Sequence, residues 1–190
     1  MSKGLLFVLS GPSGVGKNTV LDELFKNFDD VSYSVSATTR EKREGETEGE
    51  DYFFISENKF KEIKENDGFI ESALVHGHYY GTPKKFVDKK LEEGEDIILE
   101  IDTQGAKQVR EKYPEAIYIF LLPPSLEELE NRLDNRGSES NKSKNIRLNN
   151  ARKELKEVHN YDYEVINDSL EDAVREIKKI IIKEQERRDL

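Results

Sequence analysis

The most informative stretch of this chain is Gly11-Pro12-Ser13-Gly14-Val15-Gly16-Lys17-Asn18-Thr19, which follows an apolar run from Leu5 to Leu9. The apolar run predicts a buried strand, and a helical pattern extends from about Lys17 to Phe28. Glycines let backbone N–H groups converge on a phosphate, and the helix N-terminus adds a positive dipole. A plain strand-to-helix turn explains neither the glycines nor the lysine. The stretch therefore predicts a phosphate-binding loop in which Lys17 reaches the β- and γ-phosphates.

One position departs from the usual pattern of such loops. The residue after the lysine is normally a Ser or Thr that ligates Mg²⁺, and here it is Asn18. Its amide oxygen is a hard, neutral ligand for the metal. Alternatively, Mg²⁺ binds through water and phosphate oxygens, because it keeps several waters in such sites. Thr19 comes one residue late and points elsewhere on the helix.

The rest of the chain alternates apolar runs with helical patterns. We predict three pairs, each a strand followed by a helix. The strands span 97–101, 117–121 and 164–166, and the helices that follow them span 103–112, begin at Ser125, and span 170–186. Helix starts are indicated by the capping boxes Ser125 with Glu128 and Asp168 with Glu171, and by Thr82-Pro83. This alternation predicts an α/β fold, a core with a parallel sheet flanked by helices.

Two segments interrupt the alternation. Residues 35–82 contain short, aromatic-rich strand candidates around a polar loop, which predicts a small β-rich insertion. Residues 135–144 are rich in Ser, Asn and Lys and lie between helical patterns, which suits a mobile lid. We therefore divide the chain into a core (1–34, 83–124 and 156–190), an insertion (35–82) and a lid (125–155).

The second buried run ends in carboxylates. Glu100 and Asp102 lie on the same face of the strand candidate, so both are expected to reach the phosphate site. A carboxylate after an apolar run is the usual companion of a phosphate loop and organises Mg²⁺ and its waters. The alternative is a solvated strand end. His76 and His78 also share a strand face, but no cysteine or third histidine is nearby, and we interpret them as ordinary strand residues.

Composition excludes several classes of protein. The formal net charge of −10 over 190 residues argues against a nucleic-acid partner, which usually requires a basic excess. The chain has no cysteine, so disulfides and thiolate metal sites are excluded. No apolar run approaches the roughly 18 residues of a membrane span. We expect a cytoplasmic protein without membrane contact, and the pattern predicts no particular oligomeric state.

Beyond the phosphate loop, the sequence closely resembles guanylate kinases, which are nucleoside monophosphate kinases with a phosphate loop. The resemblance covers nearly the whole chain, in family order and with family-like spacing. The matching stretches are Ser36-Ala37-Thr38-Thr39-Arg40-Glu41-Lys42-Arg43, Gly49-Glu50-Asp51-Tyr52-Phe53-Phe54, Phe69-Ile70-Glu71, Tyr79-Tyr80-Gly81-Thr82, Ile101-Asp102-Thr103-Gln104-Gly105, Pro123-Pro124-Ser125, Arg132, Arg136-Gly137 and Arg147.

The resemblance implies transfer of the γ-phosphate of ATP to GMP, with Mg²⁺ as the cofactor of ATP. It implies that the phosphate loop and Asn167 bind ATP, and that Glu71 recognises guanine N1–H and its N2 amine. The implied catalytic residues are Lys17, Arg40, Arg132, Arg136 and Arg147. The implied GMP-binding residues are Ser36, Arg40, Arg43, Tyr52, Glu71, Tyr80, Thr82, Glu100 and Asp102. The implied metal contacts are Asn18 and, through water, Asp102.

Two alternatives to this function stay open. The first is a kinase of another nucleotide or phosphorylated metabolite on the same core, because fold alone does not select a substrate. The second is a non-catalytic guanylate kinase-like module that binds proteins. Such modules generally have degraded phosphate loops, whereas Lys17 and the arginines are present here.

Overall fold

A computed structural model describes residues 2–75, 77–134 and 141–190, with side chains described for 2–75, 77–132 and 148–190. A 3₁₀ turn at Leu155–Asn160 precedes the last strand. The strands and helices, in chain order, are β1 (Leu6–Ser10), α1 (Lys17–Phe25), β2 (Ser32–Tyr33), β3 (Ser36–Thr38), β4 (Tyr52–Phe54), α2 (Glu57–Glu65), β5 (Phe69–Val75), β6 (His78–Pro83), α3 (Lys84–Glu92), β7 (Ile97–Glu100), α4 (Thr103–Lys112), β8 (Ile117–Leu122), α5 (Leu126–Asp134), α6 (Asn141–Glu154), β9 (Tyr163–Ile166) and α7 (Leu170–Arg188).

The larger sheet has the strand order β2-β7-β1-β8-β9, and all of its pairings are parallel. Helices α1 and α7 bury Leu21, Leu24 and Ile177 against one face. Helices α3 and α4 bury Val87 and Val109 against the other. The predicted α/β core with a parallel sheet flanked by helices is confirmed. Because the strands are parallel, the segments that follow β1, β7, β8 and β9 meet at one edge of the sheet.

The smaller sheet has the order β4-β3-β6-β5 and mixes parallel with antiparallel pairs. Apart from Pro83 at the end of β6, it lies within the residues of the predicted insertion. It packs on α2 through Phe60, whose ring stacks on those of Phe69 and Tyr79. Helix α2 was not predicted from the sequence. This helix has nine residues and buries only Phe60, so its apolar periodicity is weak.

Two of the predicted helix caps were wrong by one residue, although α7 begins at Leu170 as predicted. The N-cap of α7 is Ser169, whose Oγ accepts from the backbone N–H of Asp172, so the box does not begin at Asp168. The pairs Asp168 with Glu171 and Ser169 with Asp172 have the same spacing, so the sequence pattern does not distinguish between them. Pro83 is the N-cap of α3 rather than its first residue. The predicted cap at Ser125 is confirmed, since its Oγ accepts from the N–H of Glu128 at 3.0 Å.

Helices α5 and α6 lie on either side of the polar segment that we predicted as a lid. Residues 141–144 of that segment belong to α6, and residues 135–140 lie outside the described residues. Among the helices described, none combines the length and apolarity needed to cross a lipid bilayer.

Candidate active site

The predicted phosphate loop connects β1 to α1 at the carboxyl edge of the large sheet. Gly14 and Gly16 have φ of 87° and 100°, in the left-handed region that favours glycine. At Gly16 a Cβ would also lie 2.8 Å from Asn167 Nδ2, so the position has no room for a side chain. Lys17 Nζ donates to the carbonyl of Gly11 at 2.9 Å, which holds the ammonium over the loop. The loop therefore has the local geometry of a phosphate cradle.

A cavity of about 320 Å³ opens over this loop and is walled by Glu100, Asp102 and Glu154. Asn18 Nδ2 donates to Glu100 Oε2 at 2.8 Å. The backbone N–H of Ser13 donates to Glu154 Oε2 at 3.2 Å. One N–H group of the phosphate loop thus already has an acceptor, the carboxylate of Glu154 at the end of α6. A bound phosphate and Glu154 would compete for that N–H.

Asn167 lies behind the loop, where its side chain is buried. Its Nδ2 donates to the carbonyl of Val15 at 2.8 Å, and its backbone N–H donates to Leu122 at 2.8 Å. Arg132 donates to the carbonyls of Val15 at 3.4 Å and Asn167 at 3.1 Å. Both residues thus brace the phosphate loop. They also line a cleft of about 360 Å³ beside Gly14, Gly16 and Thr19.

A second cavity, of about 180 Å³, lies between the small sheet and the end of β7. Of the predicted GMP-binding residues, it is lined by Ser36, Tyr52, Glu71, Tyr80, Glu100 and Asp102. We call it the acceptor pocket. It shares Glu100, Ile101 and Asp102 with the cavity over the phosphate loop, so the two cavities meet at the end of β7.

Glu71 is buried in the acceptor pocket, with 8% of its surface exposed. Burial, which disfavours the charged form, and to a smaller extent the nearby charge of Asp102 raise the pKa of its carboxyl to about 7. The buried hydroxyl of Thr82 donates to Glu71 Oε1 at 2.7 Å and opposes this rise in pKa. The pocket therefore holds a carboxyl group poised between its protonated and ionised forms near neutral pH.

Arg40 lies beside Tyr52 with its guanidinium carbon 5.5 Å from the centre of that ring. Its two terminal nitrogens donate to both carboxylate oxygens of Glu46, at 3.0 and 2.7 Å. This bidentate pair raises the pKa of Arg40 and lowers the pKa of Glu46. A phosphate, like that carboxylate, accepts two parallel hydrogen bonds from a guanidinium, so the fork of Arg40 is preformed for an anion.

Some predicted site residues lie elsewhere. The side chain of Arg43 is exposed, and its backbone N–H donates to Glu46 at 2.7 Å. Arg136 lies outside the described residues. Arg147 belongs to α6, and its side chain is not among those that the structure describes.

Three further residues of the site, Tyr33, Glu46 and Glu154, were not predicted from the sequence. Tyr33 lines the acceptor pocket and donates to Glu100 Oε2 at 3.5 Å. Desolvation raises the pKa of Glu100 and also that of Tyr33. Glu46 and Glu154 are single carboxylates in strongly charged segments, where no sequence signal distinguishes them.

The donor set of the cavity over the phosphate loop fits Mg²⁺. The side chains of Asn18, Glu100 and Asp102 line the phosphate-loop cavity and offer hard oxygen ligands. Within the part of the chain that the structure describes, no three His, Cys, Asp or Glu residues form a metal cage. Mg²⁺ beside a phosphate loop does not need one, because substrate phosphates and water supply most ligands. His78 lies in β6, and the predicted partner in its pair, His76, is outside the described residues.

Comparisons with known proteins identify the family of this chain. A family model described as guanylate kinase matches residues 3–184. A guanylate kinase of Caldanaerobacter subterraneus subsp. tengcongensis is 53% identical over 187 residues, which are 98% of this chain and 91% of that protein. One of Clostridium tetani is 53% identical over 190 residues, covering 100% of this chain and 90% of that protein. The crystal structure of guanylate kinase from Anaplasma phagocytophilum is similar with a TM-score of 0.76 and 36% identity, covering 97% of this chain and 87% of that one.

Proposed function

This chain belongs to the guanylate kinase family and is an ATP:GMP phosphotransferase, and on that premise we propose how its two cavities divide the substrates. ATP places its phosphates in the cavity over the phosphate loop, and GMP binds in the acceptor pocket. The observation that carries this proposal is the shared wall at Glu100, Ile101 and Asp102. At that wall a phosphate cradle and a second polar pocket adjoin, as transfer between two bound nucleotides requires.

The acceptor pocket selects guanine through Glu71. An ionised carboxylate accepts hydrogen bonds from guanine N1–H and the N2 amine, whereas adenine has an acceptor at N1 and no N2 amine. A hydrogen bond to a charged group contributes roughly 1.5–3 kcal/mol, and an unpaired buried partner adds a further penalty. The hydroxyls of Ser36 and Thr82 complete the base site.

The GMP phosphate binds at the other end of the pocket. Arg40 exchanges Glu46 for the phosphate, and Arg43 turns inward to the same anion. Tyr52 and Tyr80, whose rings are 5.9 Å apart, donate their hydroxyls to it. Asp102 faces both nucleotides and Glu100 closes the pocket beside Tyr33.

Transfer itself requires alignment and charge neutralisation rather than a general base, because a phosphate monoester is largely ionised at neutral pH. Lys17 holds the β- and γ-phosphates, and the loop residues 11–19 donate their backbone N–H groups. Arg132, Arg136 and Arg147 neutralise charge on the transferring group as residues 125–155 close over it. Asn167 keeps the loop in shape and forms the floor on the adenine side.

Mg²⁺ bound by Asn18 and, through water, by Asp102 would neutralise the phosphate oxygens of ATP. We place the reaction in the cytoplasm, where ATP and GMP are available, as a step of purine nucleotide metabolism. The product GDP is a nucleoside diphosphate that further kinases can use.

The test is ADP formation from ATP and Mg²⁺ with GMP, AMP, dTMP, UMP and CMP as separate acceptors. We expect strong turnover with GMP alone, and loss of turnover in Lys17→Met. Turnover with another acceptor in preference to GMP would retain the phosphate-loop assignment and overturn the assignment of the base pocket. Binding of GMP without any turnover would instead indicate a non-catalytic module.

A further inference from the structure

Strand β5 contains an extra residue next to Glu71. Phe69 pairs with Pro83, and Ser72 pairs with Gly81, so both Ile70 and Glu71 lie opposite the single residue Thr82. Such a bulge interrupts the ladder of hydrogen bonds. In addition, β5 is the edge strand of its sheet as far as the described residues go. Strand pairing alone therefore does not fix the backbone that carries Glu71.

Helix α4 binds the C-terminal end of this bulge through one amide side chain. The backbone N–H of Ser72 donates to Gln108 Oε1 at 3.1 Å, and Gln108 Nε2 donates to the carbonyl of Ser72 at 3.3 Å. The amide thus satisfies both backbone groups of one residue, as a neighbouring strand would. Ser72 directly follows Glu71.

The same helix binds the N-terminal end of the bulge one turn later. Lys112 Nζ donates to the carbonyl of Phe69 at 2.7 Å and forms an ion pair with Asp67 at 2.5 Å. Gln108 and Lys112 are four residues apart on α4 and lie on one face of the helix. The two residues hold Phe69 and Ser72, and Glu71 lies between those anchors.

A third position of α4 accommodates the carboxylate. A Cβ at Gly105 would lie 3.3 Å from Glu71 Oε2, so the carboxyl group lies directly against the first turn of the helix. Gly105 precedes Gln108 by three residues and shares its face. The N-cap of α4 is Asp102, which lines both nucleotide cavities. Helix α4 therefore contacts Glu71 through its first turn and begins at Asp102, where the two cavities meet.

We infer that Gln108 is a positioning residue for base selection, which holds the bulge of β5 so that Glu71 faces the guanine edge. The inference rests on the proposed role of Glu71. Gln108 lies outside the lining of the acceptor pocket, and it acts only through Ser72. Lys112 holds the other end of the bulge through its hydrogen bond to the carbonyl of Phe69.

The experiment compares Gln108→Leu, which keeps the size of the side chain and removes both hydrogen bonds, with the wild-type enzyme. We expect KM for GMP to rise about tenfold and the preference for GMP over AMP to fall about tenfold, as the loss of two hydrogen bonds implies. KM for ATP and kcat at saturating GMP should change less than about twofold, because the phosphate-loop cavity does not depend on this contact. Lys112→Met is a second, independent variant with the same expected direction.

Gln185→Leu is the matched control. Gln185 also makes two side-chain hydrogen bonds, to Asp96 and to the carbonyl of Asp30, but it lies in α7 and does not line the acceptor pocket. We expect it to lower the melting temperature as much as Gln108→Leu does, with unchanged KM for GMP. An equal rise of KM in both variants would overturn the inference, since general destabilisation would then explain the effect.

The double variant Glu71→Gln/Gln108→Leu separates the inference from the proposed function. If Gln108 acts through Glu71, selectivity in the double variant equals that of Glu71→Gln alone. Unchanged selectivity in Gln108→Leu, with loss in Glu71→Gln, would overturn the inference and leave the proposed function intact. Unchanged selectivity in Glu71→Gln itself would overturn both.

Discussion

The hydroxyl of Thr82 donates a 2.7 Å hydrogen bond to Glu71 Oε1, and both side chains are buried. Thr82 lies in β6, opposite the bulge of β5 that carries Glu71. This bond uses one lone pair of the carboxylate, and the other lone pairs can accept hydrogen bonds from a ligand in the acceptor pocket. The chemistry of Glu71 thus depends on a contact between two strands.

Glu71→Gln is expected to lower the preference for GMP over AMP by at least about 100-fold. The amide presents one donor where guanine requires two acceptors, whereas adenine accepts at N1 and donates from its exocyclic amine. Steady-state kcat/KM for both acceptors measures the ratio. Glu57→Gln, an exposed carboxylate of α2, is the control and should leave the ratio unchanged. Retained selectivity in Glu71→Gln would remove Glu71 from the base site.

The pH dependence of kcat/KM for GMP should show an inflection near the Glu71 pKa of about 7. Guanine recognition requires the ionised carboxylate, so kcat/KM rises with pH through that value and then levels off. The GMP phosphate contributes its own inflection near pH 6. In Glu71→Gln only the inflection from the GMP phosphate should persist. If the inflection near pH 7 appears in both the wild type and Glu71→Gln, it belongs to a group other than Glu71.

The raised pKa also has a consequence for stability. The native Glu71 carboxyl has a pKa of about 7 against an ordinary value of 4.5. Between these values the folded state binds more protons than the unfolded state, so the free energy of unfolding falls as pH rises through that window. Above pH 7 the cost of the buried charge is complete, roughly 2–4 kcal/mol. Glu71→Gln should therefore gain stability over the wild type by denaturant titration at pH 8, and the gain should shrink at pH 5. An equal effect at both pH values would contradict this account.

Arg40→Lys should raise KM for GMP by about 10- to 100-fold, because an ammonium cannot form the bidentate contact that Arg40 makes with Glu46 in this structure. KM for ATP should stay within about twofold of the wild type. The control is Arg175→Lys, since Arg175 forms an exposed ion pair with Asp172 on α7. If Arg40→Lys binds GMP as the wild type does by titration calorimetry, Arg40 has no contact with the phosphate.

Local sequence patterns were sufficient for the phosphate loop and the parallel core. The glycines at 14 and 16 and the flanking apolar strand specify a strand–loop–helix unit within a few residues. Runs such as 117–121 are apolar throughout, which already implies a strand covered on both faces. The short helix α2 was missed because one buried residue gives little periodicity.

What the sequence determined by itself was therefore the strands and helices of the parallel core and the glycine-rich loop between β1 and α1. Each depends on residues close together in the chain. Tertiary structure decided the rest. The contact between Asn167 and Val15, residues 152 positions apart, fixes the loop, and the approach of Asp102 to Glu71 contributes to the pKa of that buried carboxyl. These properties depend on which distant side chains meet and on how far water is excluded between them, and neither is written in a local pattern.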